Sequence, residues 1–257
     1  MSMMSVDTSF WVASLAALLI GLSKGGLPTI GMLGVPILSL VMPPLQAVVL
    51  LLPIYVISDL VSVWLYRKHF SALNLKILVP AGIFGIFIGW ITASYTSVAA
   101  TKLLIGSIGL GFCLNTWLRQ AAVTPRGADL PRGLFWGTLA GFTSFISHAG
   151  APPFQVYVLP QRLPKMEFAG TATLLFAVLN AVKIIPYQLL QPYTLSDLEQ
   201  ASVMIPAALL GTVAGAFLTK KIADVWFYRC VQIGLFTISL KLIFDAATAW
   251  GLTLPAL

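Results

Sequence analysis

This chain has too little charge to be wetted on every side. Only 9% of its 257 residues are Asp, Glu, Lys or Arg, where a soluble domain carries roughly 25%. That shortage excludes a protein that covers itself with a solvated surface. There are two histidines, His69 and His148, and two cysteines, Cys113 and Cys230. So few soft ligands argue against a metal site, and a disulfide is neither required nor excluded. No H-E-x-x-H, G-x-S-x-G or P-loop occurs, which leaves hydrolase and nucleotide chemistry without a motif. Ser147 and His148 are adjacent, the wrong geometry for a nucleophile–base pair on a helix. Neither an enzyme nor a cofactor is expected. Met1–Ser9 has no basic residue ahead of its apolar run and reads as a short uncleaved tail.

What is present is hydrophobic length. Hydrophobic residues make up 58% of the chain and mean hydropathy is +0.93, so the solvent is the lipid bilayer. A span needs about 20 apolar residues. Six stretches qualify: Leu45–Leu65, Ile77–Ser94, Ala99–Leu118, Phe168–Leu190, Leu198–Leu218 and Val225–Phe244. All are expected to be helices, because backbone in lipid must satisfy its own hydrogen bonds.

The net charge of +7 is a topology signal and not a sign of a nucleic-acid partner. Arg67, Lys68 and Lys76 share one loop; Arg119, Arg126 and Arg132 share another. Arg162 with Lys165, and Lys220 with Lys221 and Arg229, mark two more. The loops around 95–100 and 191–200 have no Lys or Arg, and the second carries Asp197 and Glu199. By the positive-inside rule the basic loops are cytoplasmic.

The chain repeats itself. Gly21-Leu22-Ser23-Lys24-Gly25-Gly26-Leu27-Pro28 is answered by Phe145-Ile146-Ser147-His148-Ala149-Gly150-Ala151-Pro152, each position 124 residues on. Pro80, Gly85 and Gly89 meet Pro206, Gly211 and Gly215 at an offset of 126. Two tandem units follow, residues 1–125 and 126–257. Each opens with short apolar pieces around the breaker, Ser9–Leu22 with Thr29–Val41 and Leu134–Ile146 with Phe154–Leu159. The expected fold is an all-α polytopic membrane protein of two inverted-topology repeats. Each repeat is a broken or re-entrant helical pair plus three full transmembrane helices. A hairpin crosses an even number of times, so each half crosses an odd number and the copies insert oppositely. The competing reading, one broken span per half and a parallel repeat, would put Arg162 and Lys165 outside.

Interrupted apolar segments in matching places of two halves point to a transporter's binding site. Lys24 is a cation inside an apolar run, where charge is costly and faces a cavity or a partner. With Ser23, Gly25 and Gly26 around it, and Pro28 suited to a helix's first turn, it outlines an anion site. The plainer alternative is that Lys24 pairs with Asp59 to hold the bundle. His148 takes the matching position, with Ser147 and Gly150 beside it, and can donate to an oxyanion or titrate. Thr143 and Ser144 add hydroxyls that also suit helix packing. Gln46 and Gln155 follow proline pairs and are candidate donors. Asp59 and Lys183 are themselves 124 residues apart, with Asn180 one turn before Lys183; these three are candidate coupling or cavity-lining residues. Trp64, Tyr66 and Arg67 read as an interfacial belt.

At these residues the sequence resembles the sulfite exporter TauE/SafE family. The matching runs are Gly21 to Gly26, Met42 to Ala47, Asp59 with Trp64 to Arg67, and Phe145 to Tyr157, continued by Leu159 to Arg162. Ala151 stands where many members have glycine. The resemblance implies a bacterial inner-membrane exporter of sulfite, sulfoacetate or related organosulfonates, with the lipid bilayer and a small sulfur-containing anion as partners. An anion channel and a proton-coupled importer of sulfate or thiosulfate stay open as alternatives, as does a homodimer.

Overall fold

A computed structural model describes residues 3–28, 30–38, 41–42, 44–93, 95, 97–118 and 126–251. Thr29, Pro43, Ser94 and Arg119, used above, lie outside the described residues, as does the expected boundary between the units. Every regular element among them is helical. The order is α1 (Met3–Lys24), α2 (Gly34–Leu38), α3 (Pro44–Tyr66), α4 (Ala72–Thr92), α5 (Val98–Leu118), α6 (Leu130–Ser147), α7 (Ala151–Val158), α8 (Lys165–Leu190), α9 (Leu195–Lys221) and α10 (Asp224–Ala249). Short 3-10 turns, Ile30–Leu33 and Leu159–Gln161, lead into α2 and out of α7.

Five helices are long and apolar enough to cross a membrane: α3, α4, α8, α9 and α10. They match five expected spans to within a few residues. The sixth coincides with α5, whose apolar run is described over Val98–Leu114. Leu60, Ile185, Leu210 and Phe244 each turn more than half of their surface outward, as lipid-facing side chains do.

The broken pairs differ from the expectation in length. α1 runs on through Ser23 and Lys24 instead of stopping at Leu22, because no breaker intervenes before Gly25. α6 begins at Leu130, not Leu134: Asp129 caps it by accepting from the Arg132 amide at 2.9 Å, and Pro131 fits its first turn. Between Pro28 and α3 the described residues form only a 3-10 turn and the five residues of α2. Gly31 and Gly34 are poor helix formers. They are also hemmed in, a Cβ on Gly31 meeting Ser23 Oγ at 2.4 Å and one on Gly34 meeting Ile20 at 3.0 Å.

α6 and α7 form a hairpin. The Tyr157 hydroxyl donates to Asp129 O at 3.0 Å and accepts from Asp129 N at 3.1 Å, and Arg126 N donates to Pro160 O at 3.1 Å. The start of α6 and the end of α7 are thus at one level. Asn74 Nδ2 donates to Gln161 Oε1 at 2.8 Å, and Lys165 Nζ to Lys220 O at 3.3 Å. These bonds gather all four basic loops at one end of the bundle. At the other end Tyr193 of the acidic loop donates to Val49 O, near the start of α3, at 3.4 Å.

Helix pairing follows the sequence repeat. α1 packs on α9 as α6 packs on α4, and α3 meets α9 as α8 meets α4. α3 with α8, and α5 with α10, pair across the two halves. Small residues let the backbones touch: a Cβ on Gly21 would come within 1.9 Å of Ala208 O, and one on Gly141 within 1.9 Å of Gly82 O. Ala208 corresponds to Gly82 in the repeat, but Gly21 corresponds to Phe145, four residues past Gly141. One helix pair is therefore displaced by about one turn relative to the other, roughly 5.4 Å.

Candidate functional site

Four ionisable side chains meet inside this bundle, and all are buried: Lys24, Asp59, His148 and Lys183. Lys24 closes the last turn of α1, where the helix's negative end favours a cation. Its Nζ lies 2.6 Å from Asp59 Oδ1 on α3. Asn180 Nδ2 on α8 donates to the other carboxylate oxygen at 2.7 Å. Lys183, one turn further along α8, donates to Ser144 O and Ser144 Oγ, each at 3.1 Å. Its third partner is His148 Nδ1 at 2.9 Å. Three donors thus find three acceptors, none of them a carboxylate.

His148 is the C-cap of α6 and takes a left-handed conformation, φ 52°. That region is uncommon for a residue other than glycine, and here the surroundings hold it. Nε2 is 3.0 Å from Val48 O. A carbonyl can only accept, so Nε2 carries hydrogen; Nδ1, facing the Lys183 ammonium, offers its lone pair. The tautomer follows from the partners. Both ring nitrogens are therefore occupied by protein, and His148 does not have a spare donor for a ligand.

Between the two breakers stands Tyr55. Its ring stacks on His148 at 4.6 Å and lies 5.1 Å from Lys24 Nζ, a cation–π distance. Its hydroxyl donates to Gly31 O at 2.9 Å. A cleft of about 440 Å³, mouth included, opens here and is lined by Ser23, Lys24, Tyr55, Ser144, His148 and Asn180 among others. Lys24 and Asn180 hold N–H groups beyond those used on Asp59, and Ser23 and Ser144 offer hydroxyls.

Of the expected site residues, the structure brings Ser23, Lys24, His148 and Asn180 to the cleft. Asp59 and Lys183 stand directly behind them. Gly25 serves the fold: its carbonyl accepts from Tyr66 and, at 3.0 Å, from Thr219 Oγ1. Gly26 supplies a positive φ, 115°. Gly150 caps α7 where a Cβ would strike Phe176 at 2.6 Å. Ser147 bonds back to Thr143 O at 3.4 Å, Gln155 is buried in α7, and Gln46 is exposed near the start of α3; none of the three lines the cleft. Tyr66 is not a belt residue but is buried against Gly25. Tyr55 went unread because an aromatic in an apolar span looks like filler. Its place four residues before Asp59, on the same helix face, was the available signal.

Among the described residues, no group of three or more His, Cys, Asp or Glu could hold a metal ion. Both cysteines are free thiols, Cys113 buried and Cys230 exposed. The family model described as Sulfite exporter TauE/SafE matches residues 13–242. A search of curated proteins and a search of solved structures each found no match.

Proposed function

The chain belongs to the sulfite exporter TauE/SafE family, and from that premise we propose a secondary transporter that exports sulfite or small organosulfonates such as sulfoacetate across a bacterial inner membrane. The observation that carries this reading is a cleft between two helix breakers, lined by a buried lysine and backed by a second. Buried cations at membrane depth mark ion and substrate pathways. Lys24, Asn180, Ser23 and Ser144 hold the anion's oxygens, while Asp59, Lys183 and His148 set the charge around it.

The halves insert in opposite orientations, a reading that the α6–α7 hairpin and the gathered basic loops support. Access alternates as α1 slides on α9 and α6 on α4 by about one turn in opposite senses, exchanging their registers. The present displacement between the two pairs is the motive for this step. An inside-negative membrane potential favours anion export by about 2.3 kcal/mol per charge per 100 mV, so no coupling ion is needed.

Proteoliposomes loaded with sulfite or a sulfonate test the proposal. Saturable efflux, accelerated by the same anion outside and lost in Lys24→Met, is expected. Flux that neither saturates nor exchanges would establish a channel instead. Transport that requires a proton gradient and runs inward would establish an importer.

A further inference from the structure

An arginine stands on the lipid-facing side of α10. Trp226, Arg229, Ile233, Leu240 and Phe244 are all exposed, and their helical spacing puts them on one face. The opposite stripe, Phe227, Val231, Leu235, Ile238 and Leu242, is buried. Arg229 lies about 7.5 Å from the start of α10 at Asp224, where a charge facing lipid is costly unless it finds a partner or reaches the interface. Its guanidinium folds back over the exposed Trp226 ring, 5.2 Å from the centroid, towards the basic end of the bundle. From this placement we infer that the turn between α9 and α10 is a binding site for the headgroup phosphate of an anionic phospholipid, with Arg229 and Lys221 as its cations.

Lys221, in the last turn of α9, repeats the arrangement. Its Nζ lies 4.3 Å from the centroid of the exposed Phe217 ring, one turn back along the helix. Both cations are thus laid over aromatic rings, which sit at headgroup level in a membrane. Neither is used to close the end of α9, because the carbonyls of Lys220 and Ile222 accept from Lys165 Nζ. Among the described residues no carboxylate forms an ion pair with Lys221 or Arg229. Where α8, α9 and α10 meet at this end, Lys165, Lys220, Lys221 and Arg229 outnumber Glu167 and Asp224 by two charges. A planar guanidinium matches two phosphate oxygens at once, and an ammonium adds a point charge. Phosphatidylcholine offers the same phosphate but carries a cation that this surplus repels. A second copy of the chain in the same orientation brings little acid to this level. Asp197 and Glu199 belong to the loop at the other end, and Asp129 is paired with Arg132.

The experiment is thermal unfolding of the purified full-length protein in a nonionic detergent. It is titrated with phosphatidylglycerol, with phosphatidylcholine of the same acyl chains, and with inorganic phosphate. Phosphatidylglycerol is expected to reach half-effect at a concentration roughly tenfold or more below phosphatidylcholine, and high salt to narrow that gap. Lys221→Gln combined with Arg229→Gln is expected to remove most of the gap. Lys76→Gln combined with Arg126→Gln, exposed cations of the same end on other elements, is expected to leave it in place. All four side chains are exposed, so both double variants should fold. Equal stabilisation of the natural protein by the two lipids overturns the inference. An equal loss in the two double variants also overturns it, since the whole basic end would then attract anionic lipid without a site. Inorganic phosphate as effective as phosphatidylglycerol would assign the cations to a soluble anion instead. A dimer that dissociates in the Lys221 and Arg229 variant, with no response to lipid, would give the surface to a second copy.

Discussion

The two breakers occupy equivalent places in the repeat and solve their buried charge in opposite ways. Lys24 remains helical and takes a carboxylate partner from α3. His148 leaves the helix through a left-handed cap and shares Lys183 with Ser144. A duplicated scaffold thus conserves the geometry of a contact while its chemistry diverges. The teaching is that a repeat fixes which positions meet, and the side chains then determine whether the meeting is a self-sufficient ion pair or a lysine shared among neutral hydrogen-bond partners.

The largest effect is expected from breaking the self-sufficient contact. Asp59→Leu strands Lys24 without an anion and should lower unfolding stability by about 3–5 kcal/mol. The double variant Lys24→Met with Asp59→Leu should recover most of that loss. Thermal or denaturant unfolding in detergent measures both, and a double variant no better than the single one would refute the ion-pair account.

Next in size are the two close backbone approaches. Gly21→Val and Gly141→Val each drive a side chain into a carbonyl 1.9 Å from the Cβ position, and each should cost about 1–3 kcal/mol or more. Equal penalties would show that the displaced registers are equally tight. A Gly21 variant that is tolerated while Gly141 is not would mean that α1 is free to shift on α9.

His148→Ala removes the acceptor for one Lys183 N–H and should destabilise by about 1–3 kcal/mol. Thermal unfolding in detergent measures the loss, and a variant as stable as the natural protein would show that this contact contributes nothing. The smallest effect belongs to the surface pair Lys241–Asp245, at 2.9 Å with the lysine 45% exposed. Lys241→Gln should change stability by about 0–1 kcal/mol, and that change should shrink in high salt, unlike the Asp59 effect.

Composition and periodicity alone determined that this chain is helical and lives in lipid. A bilayer leaves an exposed backbone no alternative to the helix, and a duplicated sequence carries its breakers to matching places. The spacing between Lys24 and His148, and between Asp59 and Lys183, was legible for the same reason, as was the pairing of Lys24 with Asp59 as the charge that a buried ammonium requires. The tertiary structure alone decided the rest. Tyr55 was placed between the breakers, Val48 O took the imidazole hydrogen, and Tyr66 turned from the interface to close the end of α1. Each depends on a side chain meeting a backbone carbonyl or ring distant in the sequence, and no local pattern encodes such a meeting. The one-turn displacement between the helix pairs belongs to the same class. It rests on which glycine finds which carbonyl, and packing settles that only when both helices are in place.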